Sequence, residues 1–201
     1  QNFTEIGQRK VYVDHLNAAR KLIFGKLVDK AMLGVYGFGV AISSMPVLLL
    51  GRIESAVFLP VFSRVHNSGE DLQPVFERVR RPWLILCGWV LAGLCGGGQA
   101  AVNLLWDDRY ADAGWITQLL AIAGWFGILE LTYGAAVLAR GQAKWLAAGN
   151  AGKLAGMVLL IPLGYHLDGF RGAVLGIVLS EVVRYLLAAW ALHRLGLRGW
   201  P

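Results

Sequence analysis

Five long stretches of the chain consist almost entirely of apolar residues, and short polar segments separate them. They cover residues 31–62, 83–106, 113–139, 145–167 and 170–192. A helix of about 20 mainly apolar residues crosses the roughly 30 Å hydrocarbon layer of a bilayer. The pattern therefore predicts an all-α integral membrane protein, built as an antiparallel bundle of about five transmembrane helices.

The composition supports the same fold class. Hydrophobic residues make up 56% of the 201 residues and charged residues 16%, and the mean hydropathy is +0.53. A soluble domain has about 25% charged residues. A soluble all-helical protein would need a core far larger than a chain of this length can enclose, so we place the chain in the membrane.

The first apolar stretch is longer than one span requires. Residues 31–65 would form a helix of about 52 Å, so it must tilt or project, and Pro46 and Pro60 each break the backbone ladder. We interpret residues 1–30 as the remnant of a preceding membrane or interfacial helix and 31–65 as a long kinked span. Since the chain begins without Met, we expect it to be a piece of a longer protein.

The remaining segments follow from the same pattern. Residues 66–82 are predicted to be a cytoplasmic connector with an amphipathic helix lying on the membrane, 83–193 four spans, and 194–201 a cytoplasmic tail. Leu72, Val75, Phe76 and Val79 fall on one face of the connector. Its three later arginines are expected near lipid phosphates, namely Arg78, Arg80 and Arg81.

Basic residues are unevenly distributed between the two sets of loops. One set carries eight, namely Arg64, Arg78, Arg80, Arg81, Arg140, Lys144, Arg194 and Arg198, and the other carries Arg109 and Arg171. The positive-inside rule then places the C-terminus in the cytoplasm, although Arg20, Lys21, Lys26 and Lys30 precede the first span on the other side. The net charge of +6 is scattered over short loops, so it does not indicate nucleic-acid binding.

Charged residues also occur inside the apolar stretches. Arg52 and Glu54 are two residues apart, about 200° around a helix, so they cannot pair with each other. A charge that faces lipid at this depth costs at least about 2.5–3.5 kcal/mol. The later spans carry Glu130, Lys153, Glu181 and Arg184. Glu181 and Arg184 are three residues apart and can pair on their own helix.

Two interpretations of these charges remain open. They are either interhelical ion pairs that fix packing, or the lining of a hydrophilic cavity that carries a polar cargo. The sequence contains no constellation of catalytic residues, no metal-ligand spacing and no nucleotide-binding motif. We therefore expect no enzyme activity, no cofactor and no metal. A membrane glycosyltransferase or polymerase would bring a large loop with acidic or His residues, which this sequence lacks.

Two stretches resemble a known family. The first contains Gly25, Leu33-Gly34-Val35-Tyr36, Pro46 and Phe58-Leu59-Pro60-Val61-Phe62-Ser63-Arg64, and the second is LDGFRGAVLGIVLSEVVRYLL. They are similar to the eighth-helix region and the last conserved helix of Wzx-type polysaccharide flippases. That family lies in the superfamily that also contains MATE exporters and lipid II flippases. Its members resemble two six-helix lobes, and this chain would be most of the second lobe.

The resemblance implies a function. The protein would move an undecaprenyl-pyrophosphate-linked oligosaccharide across the bacterial inner membrane for polysaccharide or lipopolysaccharide biosynthesis. The implied partners are this lipid-linked oligosaccharide, membrane lipid, the missing N-terminal lobe and a polysaccharide polymerase. Arg52, Lys153 and Arg184 would bind pyrophosphate or acidic sugars, and Glu54, Glu130 and Glu181 would couple transport to protons or sodium.

Because Arg52 and Glu54 lie on opposite faces of one helix, we expect Arg52 to face the cavity and Glu54 to contact a neighbouring helix. The alternatives are a MATE-like small-molecule exporter and a structural membrane subunit. An anionic cargo favours a basic cavity and a cationic drug an acidic one, so Arg52 and Lys153 favour the flippase.

The loop charges give a prediction of topology. Ser68→Cys, in the full-length protein without other cysteines, should react with an impermeant maleimide only from the cytoplasmic side, and Asp108→Cys only from the outer side. Labelling of the Asp108→Cys variant from the cytoplasmic side alone would reverse the orientation.

Overall fold

The structure is a computed structural model that describes residues 23–25 and 27–197. It contains four long helices, α1 Lys30–Ser68, α2 Leu72–Leu105, α3 Ala111–Ala139 and α4 Ala143–Arg194, with a 3-10 turn at Asp108–Tyr110 before α3. Each long helix is apolar and long enough to cross a membrane. The predicted all-α membrane bundle is confirmed. Most of the predicted N-terminal remnant, residues 1–22 and 26, and the tail residues 198–201 lie outside the described part of the chain.

Helix α4 consists of two limbs. Asp168 (φ −144°, ψ 31°) and Gly169 (φ 54°, ψ −138°) have non-helical dihedral angles in the middle of this 52-residue element. A positive φ costs little conformational energy only in glycine. At Gly169 it lets the chain reverse its direction. We call residues 143–167 the first limb and 170–194 the second limb, so the described part of the chain has five helical segments of membrane length.

The two limbs of α4 pack with their backbones in direct contact. A Cβ atom added to Gly172 would lie 1.9 Å from the carbonyl oxygen of Gly164, and one added to Gly176 would lie 2.5 Å from that of Leu160. No side chain fits at these positions. Such glycines let helices approach closely in lipid, where van der Waals contact and hydrogen bonds hold helices together.

Helix α3 is the centre of the bundle, because it packs against α1, α2 and α4. Most of its residues are buried, and many are small. A Cβ atom added to Gly124 would lie 2.7 Å from Val47 of α1, and one added to Gly114 would lie 2.4 Å from the Gln99 side chain of α2. The small residues of α3 therefore set how closely its neighbours approach.

The helices alternate in direction between two ends of the bundle. At the first end, the turn at residues 69–71 and the loop at 140–142 enclose a core that contains Phe62, Leu72, Ala136 and Leu192. We call it the basic end, since it carries Arg64, Arg78, Arg81, Arg140, Lys144 and Arg194. At the opposite end, residues 106–110 and 168–169 lie beside a second core with Tyr36, Ile116, Ile161 and Ala173.

The connector differs from its prediction. Residues 66–68 end α1, and Gly69 closes that helix at φ 75°. Asp71 caps the next helix by accepting a bond from the backbone of Gln73, and α2 then continues from Leu72 through Pro82 into the predicted span. The predicted amphipathic helix is therefore the first part of α2 and is continuous with the span. Its buried face, Leu72, Phe76 and Arg80, continues in register to Cys87 and Leu91.

The glycine contacts of α4 give a second prediction. Gly172→Ala should destabilise the full-length protein by at least about 1–3 kcal/mol, since the new methyl group overlaps backbone that cannot repack. Gly97→Ala is the matched control, because a Cβ atom there meets nothing within 4 Å. Thermal unfolding of both variants in detergent is the measurement. Equal melting temperatures for the two variants would contradict the contact.

Candidate functional site

Aromatic rings with stacked cations mark two levels across the bundle. At the basic end, Trp145 and Trp190 meet edge to face with centroids 5.1 Å apart, and Lys144 and Arg194 lie over their rings. At the opposite end, Trp115 meets Phe170 at 5.7 Å. Residues 170 and 190 are separated by about 30 Å of helix, which equals the hydrocarbon thickness. Tryptophan favours the two membrane interfaces, so these levels locate the hydrocarbon layer.

Four charged side chains form a network inside this layer. Lys153 on the first limb of α4 bonds to Glu181 on the second limb. Arg184 bonds to Glu181 at 3.0 Å and to Glu130 of α3 at 3.3 Å. Counting from Trp145 and Trp190, Lys153 and Glu181 lie about 12 Å and 14 Å below the aromatic level. The network joins three helical segments, and its two cations and two carboxylates sum to zero charge.

Three glycines lie within van der Waals distance of this network. A Cβ atom added to Gly127 would lie 3.6 Å from a guanidinium nitrogen of Arg184, and one added to Gly134 would lie 3.7 Å from a carboxylate oxygen of Glu130. Gly149 faces the aliphatic part of Arg184 at 3.8 Å. Charged side chains this close to neighbouring helices stay shielded from lipid, which lowers the cost of their burial.

A second polar cluster surrounds Arg80 of α2, whose exposed fraction is 4%. Its Nε donates to Thr132 Oγ1 and an Nη donates to the Tyr133 hydroxyl, both at 3.1 Å. The guanidinium carbon also lies 4.6 Å from the Tyr133 ring centroid and 5.6 Å from that of Phe76. Guanidinium groups favour such combined stacking and hydrogen bonding, so the position of Arg80 is fixed by α2 and α3 together.

Glu54 of α1 completes this second cluster. Its exposed fraction is 1%, and its charge interacts with that of Arg80. Tyr133 stacks on Tyr185 with centroids 5.6 Å apart, and their hydroxyls are 3.5 Å from each other. Tyr185 directly follows Arg184 in the chain. The two polar clusters are therefore neighbours on α3 and on the second limb of α4, and together they reach from α1 to the first limb.

Arg52 lies on the other side of α1, where it is exposed. Most of its neighbours on that side are apolar and also exposed, with Met45 at 65%, Leu48 at 58% and Ile53 at 52%. Within residues 23–25 and 27–197, Arg52 makes no ion pair. Arg52 is thus a cation at membrane depth that lies away from the core of the bundle.

The structure brings together four of the six predicted site residues, namely Glu130, Lys153, Glu181 and Arg184. The predicted bond between Glu181 and Arg184 is present. Glu54 lies in the second cluster and Arg52 outside both. The three cations predicted to hold a phosphate therefore do not converge on one site within the described residues.

Arg80 is the residue whose position the sequence pattern predicts wrongly. The pattern places it at lipid phosphates with Arg78 and Arg81, which are indeed exposed, whereas Arg80 is buried. The reason is helical phase, because Leu72, Phe76 and Arg80 are four residues apart and share the face that packs on α3. The same spacing is visible in the sequence, although Thr132 and Tyr133 give no sign there that they accept an arginine. Without Arg80, seven basic residues rather than eight mark the predicted cytoplasmic side.

Comparison with known proteins identifies the family. A family model described as "Polysaccharide biosynthesis protein" matches residues 10–114, slightly more than half of the chain. The chain belongs to this family. Its resemblance to the polysaccharide flippase family is thereby confirmed, and the four long apolar helices agree with a multi-pass membrane protein.

Two curated proteins are similar to this chain over most of its length. The teichuronic acid biosynthesis protein TuaB of Bacillus subtilis is 24% identical over 179 residues, covering 85% of this chain and 35% of its own length. The lipopolysaccharide biosynthesis protein WzxC of Escherichia coli is 20% identical over 177 residues, covering 88% and 36%. The chain thus spans about a third of the length of these relatives. No solved structure matches it significantly.

The charge balance of the network gives a third prediction. Glu181→Gln should leave one excess positive charge among Lys153, Arg184 and Glu130, and breaking a buried pair in this way costs about 3–5 kcal/mol. The double variant Lys153→Met/Glu181→Gln keeps the Arg184–Glu130 pair and restores neutrality, so it should recover most of the loss.

The measurement is thermal unfolding of the full-length variants in detergent. Glu77→Gln, an exposed carboxylate on α2, is the matched control and should melt like the unmodified protein. A double variant that is no more stable than Glu181→Gln alone would show that charge balance does not hold the network together.

Proposed function

We propose that this protein is a transporter, not an enzyme, and that it moves undecaprenyl-pyrophosphate-linked oligosaccharide across the bacterial inner membrane. Family membership and the names of the two relatives support a role in cell-surface polysaccharide biosynthesis. In this proposal the bundle is most of one lobe, and the transport path runs between it and an N-terminal lobe. A polysaccharide polymerase would use the exported product, and the basic end would face the cytoplasm.

The observation that carries this proposal is the exposed position of Arg52. A guanidinium on a mainly apolar face at membrane depth is costly against lipid, so this face of α1 is better suited to a water-filled route or to another part of the protein. The two relatives are almost three times as long as the part that matches this chain. They therefore contain enough further chain to form the other side of such a route.

The chemistry of Arg52 suits the proposed cargo. A guanidinium binds two phosphate oxygens at once and stays charged when it is desolvated. Lys153 and Arg184 already bond to carboxylates within the bundle. In our proposal these two cations contact cargo only after the network has rearranged, whereas Arg52 is available to an anion without any change in the bundle.

The carboxylates are candidates for coupling. Protonation of Glu181, or its occupation by sodium, would remove the counter-charge of Lys153 and weaken one bond of Arg184. The three helical segments that meet at the network would then lose the electrostatic reason to stay together. We propose Glu130 and Glu181 as coupling residues on this basis, and we propose Glu54 for the same role less directly, through its charge interaction with Arg80.

Substitution of Arg52 tests the proposed function. In the full-length protein, Arg52→Ala should reduce export of the polysaccharide at least tenfold while the protein accumulates normally in the membrane. Arg52→Lys should restore export in part, since it keeps the charge and loses the paired donors. The assay is recovery of surface polysaccharide in a strain that lacks the gene, with protein abundance measured in parallel.

Arg64→Ala is the matched control, because Arg64 is an exposed arginine on the same helix near the basic end. It should leave export unchanged. If Arg52→Ala lowers abundance and the remaining protein exports normally per molecule, Arg52 is a packing residue and the proposed role is wrong.

A further inference from the structure

Two cations of α4 at the basic end are not balanced by any carboxylate of the described residues. Lys144 lies in the first turn of the first limb and Arg194 ends the second limb, and both are exposed. Neither of them forms an ion pair within residues 23–25 and 27–197. The carboxylates of this end lie at the turn 69–71 and in the first part of α2, where Asp71 caps the helix. The two cations are therefore free to meet an anion from outside the bundle.

The ends of the two limbs add to this positive charge. The first limb starts without an acidic residue in its first turn and without a hydrogen bond from a capping side chain, so its own residues do not offset the positive end of its dipole. The negative end of the second limb is partly offset from within the protein, because Arg140 donates to the carbonyl oxygen of Leu195. An anion beside Lys144 is thus favoured by the helix end as well as by the ammonium group.

Two tryptophans hold the cations at the level of the membrane interface. Trp145 and Trp190 meet edge to face between the limbs. The Lys144 ammonium lies 5.8 Å from the first ring centroid, and the Arg194 guanidinium lies 5.0 Å from the second. Such stacking orients a cation without neutralising it, and indoles favour the interface. We call Lys144, Trp145, Trp190 and Arg194 the α4 patch.

Exposed apolar side chains extend from the α4 patch toward the middle of the membrane. The first limb carries three exposed alanines beyond Lys144, and the second limb exposes two large apolar side chains before Arg194. These residues are Ala148, Ala151, Ala155, Leu186 and Trp190. Residues 144–155 span about 17 Å of helix, which is close to half of the roughly 30 Å hydrocarbon layer. The apolar surface therefore has the depth of one leaflet.

We propose that the α4 patch binds the headgroup of an anionic phospholipid, whose chains lie against the apolar surface beneath it. The lipid phosphate accepts charge-assisted hydrogen bonds from Lys144 and Arg194. Clusters of basic residues beside membrane spans bind anionic lipids in this way. A zwitterionic lipid is disfavoured, because its headgroup brings a cation of its own to the patch. Since the two cations belong to opposite ends of α4, one bound lipid joins the two limbs.

Lipid titration of the purified full-length protein in detergent tests this proposal. Phosphatidylglycerol should raise the melting temperature by at least about 3 °C, since it binds the folded state, and phosphatidylcholine with the same chains should have little effect. Lys144→Gln/Arg194→Gln should weaken the apparent affinity for phosphatidylglycerol at least about tenfold, because both cations near the lipid phosphate are lost. Both residues are exposed, so this variant should melt like the unmodified protein before lipid is added.

Two further variants separate a site from a general effect of charge. Arg78→Gln/Arg81→Gln is the matched control, because it removes two exposed cations from the same end of the bundle but from α2. It should keep the affinity for phosphatidylglycerol. Lys144→Arg/Arg194→Lys preserves both charges in the patch and should keep the affinity within about threefold.

Four results would overturn the proposal. Unchanged affinity in Lys144→Gln/Arg194→Gln would exclude the patch, and an equal loss in Arg78→Gln/Arg81→Gln would assign the effect to overall charge. Equal stabilisation by phosphatidylcholine would show that lipid chains alone are bound. If Lys144→Gln/Arg194→Gln loses its response to undecaprenyl pyrophosphate and keeps that to phosphatidylglycerol, the patch holds cargo instead.

The proposed function and this inference can fail separately. The α4 patch lies at the basic end of α4, and the proposed contact with cargo lies at Arg52 on α1. Arg52→Ala should therefore keep the full stabilisation by phosphatidylglycerol, whether or not it reduces export of the polysaccharide. Loss of the phosphatidylglycerol response in Arg52→Ala would contradict the location of the lipid site.

Discussion

A charge inside the hydrocarbon layer must have a partner or water, and this requirement governs how the bundle is built. Six charged residues lie at membrane depth on four helical segments, and Arg80 joins them from the edge of the layer. Four form a neutral network, while Arg80 of α2 and Glu54 of α1 are both buried inside the bundle. Both clusters meet at α3. Helix α3 packs against the other three long helices, so it is the element on which these partners converge.

The pairing also separates two kinds of charge. Those inside the bundle are balanced, so they join the helical segments and leave little net field. Arg52 is unbalanced within the described residues and lies on the outer face of α1. In our proposal, the inner charges hold the lobe in one arrangement and Arg52 meets an anionic cargo at its surface.

Much of the fold could be predicted from the sequence because hydrophobic length is a strong signal. The spans, the short loop before Gly169 and the bond between Glu181 and Arg184 all follow from spacing along one chain. The pairing of Lys153 with Glu181 could not be predicted, since it depends on which faces of the two limbs the glycines bring together. Arg80 was misplaced for a related reason. A basic residue near a span end normally reaches the interface, and only the three-dimensional position of Thr132 and Tyr133 makes burial favourable.

Ligand binding by the purified full-length protein tests the central claim most directly. Undecaprenyl pyrophosphate in detergent should raise the melting temperature of the unmodified protein and of Lys153→Met/Glu181→Gln by similar amounts, since neither change touches Arg52. It should not raise the melting temperature of Arg52→Ala. If Arg52→Ala is stabilised normally and the network variant is not, the cargo binds at the inner cations and the division between structural and functional charges is wrong.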